Sequence, residues 1–159
     1  MKQFLLSALC ILLLTTACSN PAAAPTSAPT AASNPGGGAN NGANNAGNGT
    51  VKIISPNDGQ IVSNPITFQI QVNNLTLIPS ATPSAASQGH LHLLIDADPP
   101  PAGQQVPKDA THIHIGNGAS EYSVTDLPAG KHKIIALFAD SQHVVTNPPV
   151  MDTITITVQ

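Results

Sequence analysis

Cysteine is all but missing from this chain. The two present, Cys10 and Cys18, both fall within the first eighteen residues. Nothing beyond them can form a disulfide, a thiolate metal site, an iron–sulfur cluster or a catalytic thiol. Charge is scarce as well, with five Lys plus Arg and eight Asp plus Glu in 159 residues. Beyond Lys2 the bases are Lys52, Lys108, Lys131 and Lys133, and they form no basic patch. Tryptophan is absent and other aromatics are few. Without cations for phosphates or rings to stack on bases, nucleic acid is not an expected partner. Recognisable catalytic motifs are missing too: no Gly-x-Ser-x-Gly elbow, phosphate loop or Cys-based motif occurs, so the chain is not expected to be an enzyme. Any catalysis would need metal-bound water, with Glu121, Asp96 or Asp140 as the candidate bases.

What is present begins with an address. Met1-Lys2 is followed by an apolar run from Phe4 to Leu14, then by Thr15-Thr16-Ala17 and Cys18. This charged, apolar and small-residue order is that of a secretory signal, and the run is too short to span a bilayer well. The Cys directly after small residues resembles the lipobox of bacterial lipoproteins, with Thr15 where that pattern usually has Leu. The resemblance implies that Cys18 is acylated, becomes the mature N-terminus and anchors the chain to a membrane outside the cytoplasm. It also implies a place in the periplasm or at the cell surface. Ser19 permits sorting to an outer membrane.

Residues 19–50 carry no Lys, Arg, Asp or Glu and almost no large apolar side chain. Such a Pro/Ala/Gly/Asn segment buries too little surface to offset the entropy of ordering it, and is expected to be a disordered linker. Treated as a coil it reaches on the order of 30 Å.

Residues 51–159 amount to one small domain, and its pattern is all-β. Ile66–Val72, Thr111–Ile115 and Thr153–Val158 alternate with period two, and Lys133–Ala139 is continuously apolar, as a central strand covered on both faces would be. A short first strand, Val51–Ile54, runs into Pro56-Asn57-Asp58-Gly59. Asn117-Gly118 predicts a hairpin joining 111–115 to 120–125. Turn signals between about seven strands, and no helical period, predict a two-sheet β-sandwich. Two long loops, 73–88 and 97–109, flank the strand that carries the first histidines.

All six histidines lie between residues 90 and 143. Four form two His-x-His pairs, His90-Leu91-His92 and His112-Ile113-His114. Residues two apart on a strand share a face, so each pair presents both imidazoles together while Leu91, Leu93, Ile113 and Ile115 take the other side. If the two strands are neighbours in register, four imidazoles converge. Imidazole donors outside the cytoplasm, with no thiolate and one Met in the domain, suit Cu(II) or Zn(II) better than Ca²⁺, Mg²⁺ or Cu(I). The candidate ligands are His90, His92 and His114 first, then His112, His132 and His143. Asp96, on the His90 and His92 face by parity, is placed to orient an imidazole or cap a loop. The competing reading makes these histidines a polar network or binding face with no metal.

The run Gly89-His90-Leu91-His92-Leu93-Leu94-Ile95-Asp96 is followed by His114-Ile115-Gly116-Asn117-Gly118 and then by Leu127-Pro128-Ala129-Gly130-Lys131-His132. His143 and Asn147-Pro148-Pro149-Val150 close the series. Together these resemble an exported bacterial family of unknown function. Its motifs are Gly-His-His-His-Leu-Leu-Ile-Asp, His-Phe-Gly-x-Gly, Leu-Pro-x-Gly-x-His and a closing Asn-Pro-Pro-Val. Leu91 stands where the family has the middle His, and Thr146 where it often has another. Ser55-Pro56-Asn57-Asp58-Gly59 is similar to the start of many bacterial immunoglobulin-like domains, which implies an immunoglobulin-like antiparallel β-sandwich of about seven strands. The resemblance implies an exported β-domain with a histidine-bearing site. The expected function is therefore a membrane-tethered module that binds copper or zinc. The alternative is a non-catalytic module that holds an envelope protein or glycan.

Overall fold

The structure, a computed structural model, describes residues 46–82 and 85–159. The signal segment with Cys18, and the linker as far as residue 45, lie outside the described residues.

Nine strands and no helix occur among the described residues: β1 (Thr50–Ser55), β2 (Ile61–Val62), β3 (Ile66–Asn73), β4 (Thr76–Leu77), β5 (Gln88–Ile95), β6 (His112–Ile115), β7 (Glu121–Val124), β8 (Gly130–Asp140) and β9 (Met151–Val158). They build two sheets. One runs β1-β3-β7, antiparallel throughout. The other runs β2-β9-β8-β5-β4, with β6 also pairing β5. The all-β sandwich expected from the alternating runs is therefore what forms. Its two extra strands, β2 and β4, are two residues each and pair in parallel with β9 and β5.

Period two decides the packing. On β3, Ile66, Phe68 and Ile70 are buried while Thr67, Gln69 and Gln71 are exposed. The exposed side is tied to β7 by Thr67 Oγ1 to Ser123 Oγ at 2.8 Å, and by Gln69 Nε2 donating to Glu121 at 3.1 Å. The buried side meets Leu91, Leu93, Ile134, Ala136, Phe138, Ile154 and Ile156 of the other sheet in the main core. The second sheet is covered on its outer face as well. There Leu94, Ile135, Leu137 and Ala139 pack with Val106 and Val145, which come from loops. The expectation of burial on both sides holds for 134–139 for this reason, while Lys133 reaches outward to Asp98 at 2.6 Å.

The hairpin expected at Asn117-Gly118 does not form. The turn is local and sound: Asn117 Oδ1 accepts from Ala119 N at 3.0 Å, and Gly118 takes a φ of 76°. Yet β6 pairs with β5 and β7 pairs with β3, so the chain crosses from one sheet to the other. Two alternating runs joined by a turn specify inward faces, and both a hairpin and a sheet change satisfy that pattern.

Gly89 sets how closely β5 approaches β8. A Cβ there would run into the Ala139 carbonyl oxygen and the Phe138 ring. We expect Gly89→Ala to cost about 1–3 kcal/mol through overpacking, measured as a lower midpoint in urea unfolding. An unchanged midpoint would mean that the strands separate freely at this position.

Candidate metal centre

On β5 the odd residues Leu91 and Leu93 enter the main core, which turns His90 and His92 to the outer face of the sheet. Ala139 stands opposite His90 and Leu137 opposite His92 on β8, and the small alanine leaves room for the ring. On the other side, β6 places His114 directly opposite His92. The ring of His114 lies over Gly116, where a Cβ would collide with it.

The fourth imidazole comes from the turn that ends β8. Asp140 Oδ1 accepts from Gln142 N at 2.8 Å and from Val144 N at 2.9 Å, while its carbonyl accepts from His143 N at 3.0 Å. This knot holds His143 with a φ of 65°, a left-handed conformation uncommon outside glycine. Val106 N donates to the His143 carbonyl at 2.8 Å, and Val145 N to Gln104 O at 2.9 Å. The 97–109 loop is thereby fastened alongside the turn.

The result is a compact cluster of His90, His92, His114 and His143. Ring centroids are 5.0 Å apart for His90–His92, 4.7 Å for His90–His114 and 4.8 Å for His90–His143. The remaining pairs are 5.1 Å for His92–His114, 5.6 Å for His92–His143 and 4.7 Å for His114–His143. In a square the diagonals would be about 1.4 times the sides; six nearly equal distances describe a tetrahedron, the geometry of four-coordinate zinc sites. One potential ligand nitrogen from each ring lies within 4.8 Å of all the others, so the group can hold a metal ion. Nε2 of His90 is 3.2 Å from Nε2 of His92, and the same atoms of His114 and His143 are also 3.2 Å apart. Nitrogens bound tetrahedrally at 2.0–2.1 Å would be about 3.3 Å apart.

The cluster is electrically prepared for a cation. Burial, then the neighbouring His114 and His143, push the His90 pKa down to about 4. Burial, followed by His90, His114, His143 and His112, pushes His92 down to about 3. His114 is lowered as well, by burial, His143 and Lys108 in that order. Imidazoles kept neutral retain the lone pair a metal needs. The Nδ1 atoms of His90 and His92 are buried without a hydrogen-bond partner, so neither ring is already committed there.

The other two candidate histidines are placed elsewhere. His112 sits opposite Leu94, and its Nδ1 lies 2.8 Å from Asp109 Oδ1, which also accepts from Thr111 and from the His112 amide. Its ring borders the cavity beside the cluster but stands outside the four. His132 has the parity of Ile134, Ala136 and Phe138, which fill the main core, and lies at the far end of β8. Its Nδ1 is 2.7 Å from Asp96 Oδ2 and its Nε2 is 2.8 Å from Pro128 O. Asp96 does orient an imidazole, but not on the face its parity suggests. Its φ of 53° takes it out of the strand alternation, and Oδ1 caps Lys133 N at 2.8 Å. Thr146 is buried and donates to Pro148 O at 2.9 Å.

The family model described as "Domain of unknown function (DUF4399)" matches residues 66–159. The chain belongs to this family. The match takes in all six histidines and every strand from β3 onward. No curated protein and no solved structure matches the chain.

Asp96 and His132 give this DUF4399 domain a second charged contact, independent of the cluster. Burial opposes protonation of His132, but the Asp96 hydrogen bond, the Pro128 carbonyl and the Asp96 charge outweigh it and raise the pKa. A raised folded-state pKa adds stability that is complete below the unfolded value of about 6.5 and is lost as pH rises through the folded value. Asn tolerates the same backbone conformation, so Asp96→Asn isolates the contact. It should cost about 1 kcal/mol in urea unfolding at pH 5.5, with a smaller difference at pH 8.5. A difference that grows with pH would reverse the assignment.

Proposed function

We propose that this domain is a binding module for a divalent transition-metal ion, held by His90, His92, His114 and His143. The carrying observation is the tetrahedral set of ring-to-ring distances. Zn(II) accepts that arrangement directly, whereas Cu(II) prefers a flatter one. Both remain within reach of an all-imidazole site, with Zn(II) the closer match. The module acts by binding rather than catalysis, and works outside the cytoplasm, tethered to a membrane through lipidated Cys18. The uncharged segment that precedes the described domain serves as a spacer between lipid and site.

Purified full-length chain, free of affinity tags, should take up about one equivalent of Zn(II) or Cu(II) at micromolar concentration. His90→Ala with His92→Ala should weaken uptake by at least about a hundredfold, since even losing an outer partner of a ligand costs tenfold or more. His143→Asn keeps a residue suited to the left-handed turn while removing the ligand, and should weaken binding without unfolding the chain. Uptake that is absent, or unchanged in the double variant, sinks the proposal.

Acid should release the ion late. A protonated imidazole cannot ligate, so metal is lost as pH falls. With His90 held down at about 4 and His92 at about 3, the core ligands stay neutral well below the ordinary imidazole value. In equilibrium dialysis the release midpoint should fall below pH 6.5. A midpoint above that value would mean that these rings titrate like solvent-exposed histidines.

A further inference from the structure

The four imidazoles are not evenly enclosed. His90 and His92 are buried, His143 is half-buried and His114 is exposed. The open side faces a cavity of about 420 Å³, within the size range of small-ligand sites. His92, His114 and His143 form one wall of this cavity, and His90 lies behind them. Ser80, Gln105 and Ser141 contribute hydrogen-bonding groups, and Lys108 contributes a positive charge.

Among the described residues, no Asp or Glu lines the cavity. The two acidic residues next to it in sequence are engaged elsewhere, Asp109 with the Thr111 hydroxyl and amide and with the His112 amide and ring, and Asp140 with the Gln142 and Val144 amides. Imidazole ligands carry no negative charge and cancel none of a divalent ion's, and Lys108 adds to it. A metal site in a low-dielectric wall, with a cation beside it and no carboxylate among the described lining residues, attracts an anion from solution.

We propose that the cavity is a binding site for a small carboxylate, which meets the metal-loaded histidine cluster from its open side with Lys108 as counter-cation. The hydroxyl and amide groups of the wall can donate to the carboxylate oxygens, which favours a carboxylate over a bare halide. This inference rests on the metal-binding reading, and the two are tested separately.

Full-length chain is first loaded with Zn(II) and its metal content measured by element analysis. Formate is then titrated calorimetrically into the loaded chain, the metal-free chain and loaded Lys108→Gln. We expect saturable binding to the loaded chain and none to the metal-free chain. Lys108→Gln should bind formate about tenfold more weakly, as loss of one charge-assisted contact does, with zinc content unchanged. Chloride should bind at least about tenfold more weakly than formate. A loaded chain that ignores formate overturns the carboxylate site while leaving the metal site standing. Equal binding to the metal-free chain, or to Lys108→Gln, overturns the proposed electrostatics, and equal binding of chloride overturns the carboxylate preference. Failure to load zinc at all removes the metal-binding reading, and the carboxylate site with it.

Discussion

Burial of β5 on both faces is the constraint on which the rest of the structure depends. Its odd residues close the sandwich core against β1 and β3, so its even residues are forced to the opposite face. That outer face is not left to water. The loops that bring Val106 and Val145 over Leu94, Ile135, Leu137 and Ala139 bury it, and they bury His90 and His92 with it. Imidazoles in such a place are costly to protonate, because the charge would lose its hydration and face three other imidazoles. The same packing that stabilises the sheet therefore keeps His90 and His92 neutral.

Three elements with different tasks converge on the site. β5 gives a rigid floor with two ligands, β6 gives one from a shorter edge strand, and the turn after β8 gives the last. The turn is the most specialised piece, since a His with positive φ persists only where its surroundings hold it. Here Asp140 and the backbone of the 97–109 loop do so. The gradient from buried His90 and His92 to exposed His114 follows from this construction, and it leaves the cluster open on one side only.

Much of this was legible in the residues. Alternation in 66–72, 111–115 and 153–158 and the apolar run 133–139 marked the strands and their buried faces. The spacing of His90 with His92 put both rings on one side of β5, and the parity of Leu91 sent that side chain into the core on the other. The pairing of His92 with His114 also followed once the two strands were neighbours. Harder to see was that His112 would leave the group for Asp109, or that His143, outside any strand, would complete it. A local signal did exist, since Asp140-Ser141-Gln142-His143 has the spacing at which an aspartate ties a tight turn.

By itself the sequence determined the all-β class, the inward and outward faces of the alternating runs, the exclusion of cysteine chemistry, and the region from which ligands must come. Period two is a local property of backbone geometry, so it survives without knowledge of the rest of the molecule. Tertiary structure alone decided which strands became neighbours, that β6 and β7 join different sheets, and which four of six imidazoles meet. Those outcomes depend on contacts between distant segments, and on backbone departures such as the left-handed Asp96 and His143, which no repeat of polar and apolar residues encodes.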